Sequence, residues 1–349
     1  MALERRLSLW DGLVSVDKRR KPTGSMEMSD IRLIAGSAHP ALAAEIAAHL
    51  GLPLTACKVI RFSNENMIVQ IEENVRGSDV FVIQPSCPPV SDGIIELLIT
   101  IDSLKHASAD RVTAVLPYFP YVRSDKKDRP RISIAARLMA DLLETSGADR
   151  VLAMNLHSPQ VQGFFRIPVD QLTAIPLICD YIRQNRDLRD VVLVAGDVGE
   201  AKDVGTYANY LNLEMAIIDK RRYGDNEQPR AVNLIGDVQG RIALIVDDEV
   251  ASGGTITEAA RFLLERGALR IEAAVVHAVL SGGERLKALA STLDRMICTN
   301  SLPIRDNALR DKLEIVSVAP LLGDAIRAIH EGSSVSALFH SRSSRRPIS

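Results

Sequence analysis

Two adjacent carboxylates and a glycine pair lie close together in the stretch VDDEVASGGTI. Asp247 and Asp248 come first, and Gly253 and Gly254 follow after a spacer of small and acidic residues. Carboxylates accept hydrogen bonds from sugar hydroxyls, whereas a glycine turn offers backbone N–H groups to an anion without steric hindrance. This order suits a sugar phosphate, although an ordinary strand-to-helix connection could contain either pair alone.

The residues around these groups predict how they are positioned. The run Ile242–Val246 is short, β-branched and uncharged, which favours a strand covered on both faces of a parallel sheet. The acids would then lie at its carboxyl end, and Thr255 would be the N-cap of a helix whose positive end faces the phosphate. That helix would bury Ala259, Ala260, Leu263 and Leu264.

A basic loop, PYFPYVRSDKKDRPR at residues 117–131, follows another predicted strand. Its cations are Arg123, Lys126, Lys127, Arg129 and Arg131. Such a run is usually a solvated face, but its place at the end of a strand makes it a candidate site for a polyphosphate.

A histidine loop, MNLHSPQVQGFFRIP at residues 154–168, follows the next strand and contains His157. A lone histidine is more often structural than catalytic. Because this one is at the third strand end that carries polar residues, its imidazole could bind a metal–phosphate complex or donate to a transferring group.

Short apolar runs alternate with helical stretches along the chain, a pattern that predicts two doubly wound parallel sheets. A strand is expected at Ile31–Ala35, followed by a helix at Pro40–Leu50 that Gly51 closes, and a domain boundary is expected between Pro168 and Pro176. The other predicted strands are Asp79–Gln84, Arg111–Leu116, Arg150–Met154, Val191–Ala195, Glu214–Ile218 and Ala273–Val279.

Composition excludes several classes of protein. A formal net charge of −2 over 349 residues argues against a general nucleic-acid binder, and no uncharged run is long enough to span a membrane. The four cysteines lack metal-ligand spacing, which favours reduced packing residues in a cytoplasmic protein.

All three loops resemble those of ribose-phosphate pyrophosphokinases. VDDEVASGGTI is similar to the phosphoribosyl diphosphate loop that this family shares with type I phosphoribosyltransferases, and the other two are similar to its PYxxYxRxDKKDxxR and DLHxxQxQGFF segments. The resemblance runs from about Ile31 to Phe339 and implies an α/β fold of two type I phosphoribosyltransferase-like domains, each a mainly parallel sheet flanked by helices. The implied divisions are an N-terminal extension at 1–28, an ATP-side domain at 29–172, a ribose-5-phosphate-side domain at 173–339 and a disordered tail at 340–349.

The resemblance also implies roles for residues of the sugar side. Asp247 and Asp248 would hold the ribose hydroxyls of ribose 5-phosphate. Its phosphate would be bound by Ala251, Ser252, Gly253, Gly254 and Thr255.

On the nucleotide side, the implied ATP-binding residues are Phe62, Asn64, Asn66, Arg123, Asp125, Lys126 and His157. His157 and Asp197 would hold Mg²⁺. Lys220 and Arg222 lie at the root of an expected mobile loop that runs to about Val232, and with His157 they would be the catalytic residues. Two cations suit pyrophosphoryl transfer, because the reaction builds charge on the α- and β-phosphate oxygens.

The implied reaction joins the β,γ-diphosphoryl group of ATP to O1 of ribose 5-phosphate, giving 5-phosphoribosyl 1-diphosphate and AMP. Several positions depart from the family pattern: Asn66, Asn155, Pro159, Glu200 and Ala251. Glu200 stands where a glycine is usual and would either repel a triphosphate or join the magnesium shell. These departures leave open a weak or inactive nucleotide-binding paralogue that regulates an active synthetase; a nucleobase phosphoribosyltransferase is a further alternative.

Regulation and assembly are implied by the resemblance as well. Arg76 and Arg131, with Ser334, Val335, Ser336 and Phe339, match segments that form an allosteric phosphate or ADP site between subunits, although a helix end and a packed tail would look the same. A homo-oligomer, a hexamer built from dimers, or a hetero-oligomer with a paralogue is expected.

Overall fold

The computed structural model describes residues 30–221, 230–305 and 308–338. The expected N-terminal extension and C-terminal tail lie outside these ranges. So do Arg222, Phe339 and most of the expected mobile loop.

The first half of the chain builds a five-stranded, all-parallel sheet in the order β1-β4-β5-β6-β7. Its strands are β1 (Ile31–Ala35), β4 (Asp79–Ile83), β5 (Arg111–Leu116), β6 (Arg150–Met154) and β7 (Val169–Leu172). Its helices are α1 (Pro40–Leu50), α2 (Val90–His106) and α3 (Ala135–Thr145). An antiparallel hairpin, β2 (Cys57–Arg61) and β3 (Met67–Ile71), stands apart from the sheet.

The second half builds a seven-stranded sheet in the order β10-β9-β8-β11-β12-β13-β14, parallel except for edge strand β10. Its strands are β8 (Val191–Ala195), β9 (Met215–Arg221), β10 (Arg230–Ile235), β11 (Ile242–Val250), β12 (Arg270–Ala278), β13 (Arg295–Thr299) and β14 (Leu313–Val316). Its helices are α4 (Ile175–Asn185), α5 (Ala201–Leu211), α6 (Gly254–Glu265), α7 (Glu284–Thr292) and α8 (Ala319–Glu331).

The expected fold class is confirmed, since two mainly parallel sheets are flanked by helices. Strands β4 and β8 are buried along their whole length, as helices on both faces of a sheet require. Five strands or helices have the expected bounds: β1, α1, β5, β6 and β8. Among the helices that the structure describes, none is long and apolar enough to cross a membrane.

Other expected bounds were wrong. Strand β4 ends at Ile83, β9 and β12 are shifted from their predicted ranges, and β11 continues past Val246 to Val250, so that both acids belong to the strand. Thr255 is not the N-cap of α6: that position is Gly253, whose φ of +79° is left-handed and favours glycine. Leu264, expected inside, is 43 % exposed.

The two halves pack against each other through α1 and α8, whose apolar side chains share one core with residues of both sheets. A polar link reinforces this contact. Asp79, almost fully buried at the start of β4, accepts from Arg111 Nε at 2.8 Å and lies 2.8 Å from His330 Nδ1 on α8. Leaving a buried polar group without its hydrogen-bond partner costs about 1–3 kcal/mol, so the contact between Asp79 and His330 helps to fix the position of one half relative to the other.

Candidate active site

The sugar loop, residues 251–255, joins β11 to α6 where the carboxyl ends of the parallel strands meet. Two glycines are needed for its shape. Gly253 has positive φ, and a Cβ on Gly282 would lie 2.3 Å from the carbonyl oxygen of Ser252. The backbone of residue 282 therefore supports the sugar loop at a distance that only glycine permits.

Asp248, which lies on β11 three residues before this loop, contacts the histidine loop of the other half. His157 Nδ1 lies 2.6 Å from Asp248 Oδ2. This hydrogen bond outweighs partial burial and raises the pKa of His157 above its ordinary value. Burial alone would raise the pKa of Asp248, but the hydrogen bonds from His157 and Asp247 hold it below the ordinary value. At neutral pH, Asp248 is therefore an anion that orients the imidazole.

Asp247 faces an acid cavity of about 340 Å³. The cavity lies between β11, the histidine loop and the turn after β8; its polar lining residues are Asn155, His157, Asp197, Glu200, Asp203, Tyr207, Asp247 and Asp248. Burial, and then the nearby Glu200 carboxylate, raise the pKa of Asp247 well above the usual range. Asp248 is thus the acid of the pair that stays anionic, whereas Asp247 keeps its proton to a higher pH; a carboxylate accepts hydrogen bonds from sugar hydroxyls and a protonated carboxyl can also donate one.

Asp197 and Glu200 satisfy the donors of the turn after β8, residues 196–200. Asp197 Oδ1 accepts from the N–H of Gly199 at 2.7 Å, and Glu200 Oε2 accepts from the N–H of Gly196 at 3.0 Å. Burial, and then the Asp197 charge, raise the pKa of Glu200 to about 7, against a smaller opposing effect of Lys220. Glu200 lines the acid cavity, as a carboxyl group that is partly neutral at pH 7.

Arg123 of the basic loop reaches across to β11. Its Nη1 donates to Glu249 Oε1 at 3.1 Å, and the hydroxyl of Tyr118 donates to Glu249 Oε2 at 2.8 Å. The Tyr118 ring lies 4.9 Å from that of His277, which is buried and whose pKa burial lowers to about 4. The neutral His277 ring thus packs against the Tyr118 ring.

The basic loop encloses a second space, a basic cavity of about 390 Å³. It is lined by Tyr118, Tyr121, Val122, Arg123, Ser124, Lys126, Asp128 and Ile132. Arg123 and Lys126 give it the cationic lining that a polyphosphate requires. Asp125 is half-buried beside it, and Arg131 is exposed with a positive φ of 64°.

Other expected site residues are not brought to these cavities. Phe62, Asn64 and Asn66 form the exposed turn of the β2–β3 hairpin, where the N–H of Phe62 donates to the Asn66 carbonyl. Arg76 donates to Ser108 Oγ at 3.0 Å, and residues 334–336 follow α8. None of these side chains lines either cavity.

Asn155 shapes the histidine loop. It has a positive φ of 42°, which asparagine tolerates better than most residues, and its Oδ1 accepts from the N–H of Ala174 at 2.7 Å. Its backbone carbonyl lies 3.3 Å from His277 Nε2. The amide at this position therefore has a structural function next to the cavity.

Sequence reasoning missed Glu249, Tyr118, His277 and Tyr207. Glu249 directly follows the two acids of VDDEVASGGTI, but the predicted strand ended at Val246, so no local signal marked its burial. His277 and Tyr207 are buried within β12 and α5, and nothing in their local sequence distinguishes them from packing residues. The hydroxyl of Tyr207 has no hydrogen-bond partner among the described residues.

Comparison with known proteins identifies the family. Residues 31–147 match the N-terminal domain of ribose phosphate pyrophosphokinase, and residues 223–340 match the phosphoribosyl synthetase-associated domain. Ribose-phosphate pyrophosphokinases of Aquifex aeolicus and Parasynechococcus marenigrum are 43% and 46% identical over 89% and 88% of this chain, and the alignments cover 100% and 93% of those proteins.

A solved structure, the phosphoribosylpyrophosphate synthetase from Mycobacterium smegmatis, superposes with a TM-score of 0.81 at 40% identity. The match covers 87% of this chain and 99% of that protein, so the two halves are arranged alike in both. The chain belongs to the ribose-phosphate pyrophosphokinase family.

Proposed function

We propose that this chain is a ribose-phosphate pyrophosphokinase that converts ATP and ribose 5-phosphate to 5-phosphoribosyl 1-diphosphate and AMP. The anomeric hydroxyl of the sugar attacks the β-phosphorus of ATP, the bond from that phosphorus to the α,β-bridging oxygen breaks, and the O1 proton is released. The observation that carries the proposal is the 2.6 Å contact between His157 and Asp248, which brings β11, the strand that leads into the sugar loop, against the histidine loop. The segment that suits ribose 5-phosphate and the segment that suits the ATP phosphates meet at this contact.

On the sugar side, Asp247 and Asp248 are proposed to hold the ribose hydroxyls. Residues 251–255 would bind the 5-phosphate through backbone N–H groups and the hydroxyls of Ser252 and Thr255. The N-terminus of α6 adds a favourable dipole, which favours a dianion at this position.

On the nucleotide side, Arg123 and Lys126 are proposed to bind ATP phosphates in the basic cavity, with Asp125 beside them. His157 would contact the reacting end of the nucleotide. The adenine end is assigned to Phe62, Asn64 and Asn66 on the hairpin turn, and Asn66 can accept the adenine amino group through its amide oxygen.

Magnesium fits this donor set only as a shared ion. Among the described residues, no group of three or more His, Cys, Asp or Glu side chains is arranged to hold a metal by itself. Mg²⁺ keeps several waters and is commonly held by one or two carboxylates plus substrate phosphates. Asp197 would supply a carboxylate here, and His157 is proposed to contact the same ion. When bound, the ion would neutralise phosphate charge that otherwise repels the incoming sugar phosphate.

The chain's own cations would stabilise the transition state. Lys220 lies at the end of β9, close enough to the acid cavity to lower the pKa of Glu200. We assign Lys220 and Arg222, which is outside the described residues, to the charge that develops on the α- and β-phosphate oxygens. His157, oriented by Asp248, would hold the same phosphates in line for attack.

A homo-oligomer is proposed as the working assembly, and the cytoplasm as its location. The β2–β3 hairpin carries three large apolar side chains that are 42–49 % exposed: Ile60, Phe62 and Ile68. Such a patch is commonly covered by a partner. Arg76, Arg131 and residues 334–336 remain candidates for a regulatory phosphate or ADP site, with Phe339 outside the described residues.

A product assay separates the candidate functions. Protein incubated with ATP, ribose 5-phosphate and Mg²⁺ should release AMP and 5-phosphoribosyl 1-diphosphate in equal amounts, measured by ³¹P NMR and ion-exchange chromatography. Asp248→Asn is the matched control and should lose most of this activity. Binding of ATP without turnover would instead support a regulatory paralogue, and activity with a nucleobase and 5-phosphoribosyl 1-diphosphate would support a phosphoribosyltransferase.

A further inference from the structure

Glu249 is a buried carboxylate that joins the sugar-side strand to the basic loop. It is the third acid in the run Asp247–Glu249, and only 6 % of its side chain is exposed. One oxygen accepts from Arg123 and the other from Tyr118, both of which come from the other half of the chain. Asp248, the preceding residue, makes the separate contact with His157.

The carboxylate of Glu249 has two hydrogen-bond donors, Arg123 and Tyr118. Burial, and then the Glu249 charge, raise the pKa of Tyr118, which therefore stays a neutral hydroxyl donor. A buried carboxylate is stable only when its oxygens are paired, and here Arg123 supplies the compensating charge. The pairing thus depends on both loops being in place.

Arg123 is held at one point and is otherwise open. Its side chain is 63 % exposed, and it lines the basic cavity together with Lys126. The hydrogen bond to Glu249 uses Nη1. A guanidinium has five N–H donors in a rigid plane, so a carboxylate that fixes one of them sets the direction of the others.

We propose that Glu249 is a positioning residue, which holds Arg123 in the orientation that binds the nucleotide phosphates. The inference rests on the proposed function, since it assigns Arg123 to ATP. Because Glu249 lies two residues before the sugar loop, it places this arginine relative to the bound sugar phosphate. Without it, the long arginine side chain would sample many rotamers and lose entropy on binding each nucleotide.

The test uses three variants of the full chain. Glu249→Leu removes both acceptors while it keeps an apolar side chain in a buried position, and Glu249→Gln keeps one oxygen for Arg123. Tyr118→Phe removes the second donor alone. We expect Glu249→Leu to lower kcat/KM for ATP about ten- to hundredfold, with the KM for ribose 5-phosphate within about twofold of wild type. Glu249→Gln should restore most of the loss.

A double-mutant cycle with Arg123→Met decides whether the effect passes through the arginine. If Glu249 acts by positioning Arg123, Glu249→Leu should cause no further loss in the Arg123→Met background. Additive losses would mean that Glu249 does not act through Arg123. An equal rise in the KM for ribose 5-phosphate would mean general damage to the sugar loop. Either result would overturn the proposal.

Glu272→Gln provides a matched control. Over the whole residue, Glu272 and Glu249 are each 9 % exposed, and Glu272 Oε2 accepts from Arg186 Nε at 3.4 Å near the opposite end of the same sheet. Its substitution should leave both KM values within about twofold. If wild-type protein makes no 5-phosphoribosyl 1-diphosphate, the proposed function fails. The double-mutant cycle can then be measured through the Kd of Mg-ATP. Glu249→Leu should weaken Mg-ATP binding in wild type and should have no effect in the Arg123→Met background.

Discussion

His157 and Asp248 are 91 positions apart in the chain, yet His157 Nδ1 and Asp248 Oδ2 lie 2.6 Å apart. His157 follows β6 of the five-stranded sheet, and Asp248 lies in β11, the central strand of the seven-stranded sheet. The contact fixes which imidazole nitrogen faces the carboxylate and leaves Nε2 as the nitrogen available to a substrate.

Asp248→Asn should lower the pKa of His157. The carboxylate raises this pKa above 6.5 in the folded protein, so its contribution to stability is complete below pH 6.5 and is lost as the pH rises through the folded-state pKa. An NMR titration of the imidazole C–H signals measures the change, and His157→Gln assigns the signal. His277, whose pKa is lowered to about 4, should not titrate above pH 6 in either protein. An unchanged His157 titration in the variant would contradict the hydrogen bond.

Lys220→Ala should reduce turnover far more than nucleotide affinity. We expect kcat to fall about a hundredfold or more, because a preorganised cation acts on charge that appears only in the transition state. The Kd of Mg-ATP should change less than about fivefold. Rapid-quench kinetics and calorimetry measure the two quantities, and Lys220→Arg, which keeps the charge, should recover part of kcat. If Lys220→Ala lowers kcat and the affinity for Mg-ATP by the same factor, Lys220 acts in ground-state nucleotide binding instead.

Much of this site could be predicted because parallel strands place their carboxyl ends at one edge. Asp247, His157 and the basic loop each follow a recognisable apolar run, and their convergence follows from topology. The strand that carries the acids was predicted too short, because a run that turns acidic normally leaves a sheet. Here Asp248 and Glu249 pair with His157 and Arg123 from the other half of the chain. These partners cannot be recognised from the sequence next to the two acids.

The hairpin and the helix start show two further limits. Strands β2 and β3 lie apart from both main sheets and are largely exposed, and neither was predicted. Lys58 and Arg61 interrupt the apolar residues of β2, whereas β3 is apolar except for Gln70 and was missed. Thr255 has the side chain of an N-cap, but the left-handed backbone of Gly253 starts the helix two residues earlier. Backbone conformation at a glycine pair depends on what packs behind it, which the sequence does not specify.

Glu200→Gln should stabilise the protein above pH 7 and not below pH 4.5. Burial raises the pKa of Glu200 from 4.5 to about 7, so folding takes up a proton and is penalised as the pH rises between these values. The amide can still accept from the N–H of Gly196. We expect a gain of about 1–3 kcal/mol in the free energy of unfolding at pH 8. Urea titrations at pH 4.5 and pH 8 measure it.

The control for this prediction is Glu258→Gln, at an exposed position on α6. Its substitution should change the free energy of unfolding by less than about 0.5 kcal/mol at both pH values. A gain for Glu200→Gln that is the same at pH 4.5 and pH 8 would show that burial of a charge is not its origin.

Gly282→Ala should damage the sugar side of the site selectively. A Cβ at this position would lie 2.3 Å from the carbonyl oxygen of Ser252 and 2.9 Å from its Cα, so the sugar loop must move. We expect the KM for ribose 5-phosphate to rise about tenfold or more, because a displacement of the loop misaligns several N–H donors at once. The KM for ATP should change less than about threefold. Gly205→Ala is the control, since its Cβ would enter open space on α5 and should stabilise the helix by about 0.5–1 kcal/mol. A Gly282→Ala variant with both KM values unchanged would mean that residues 251–255 do not hold the sugar phosphate.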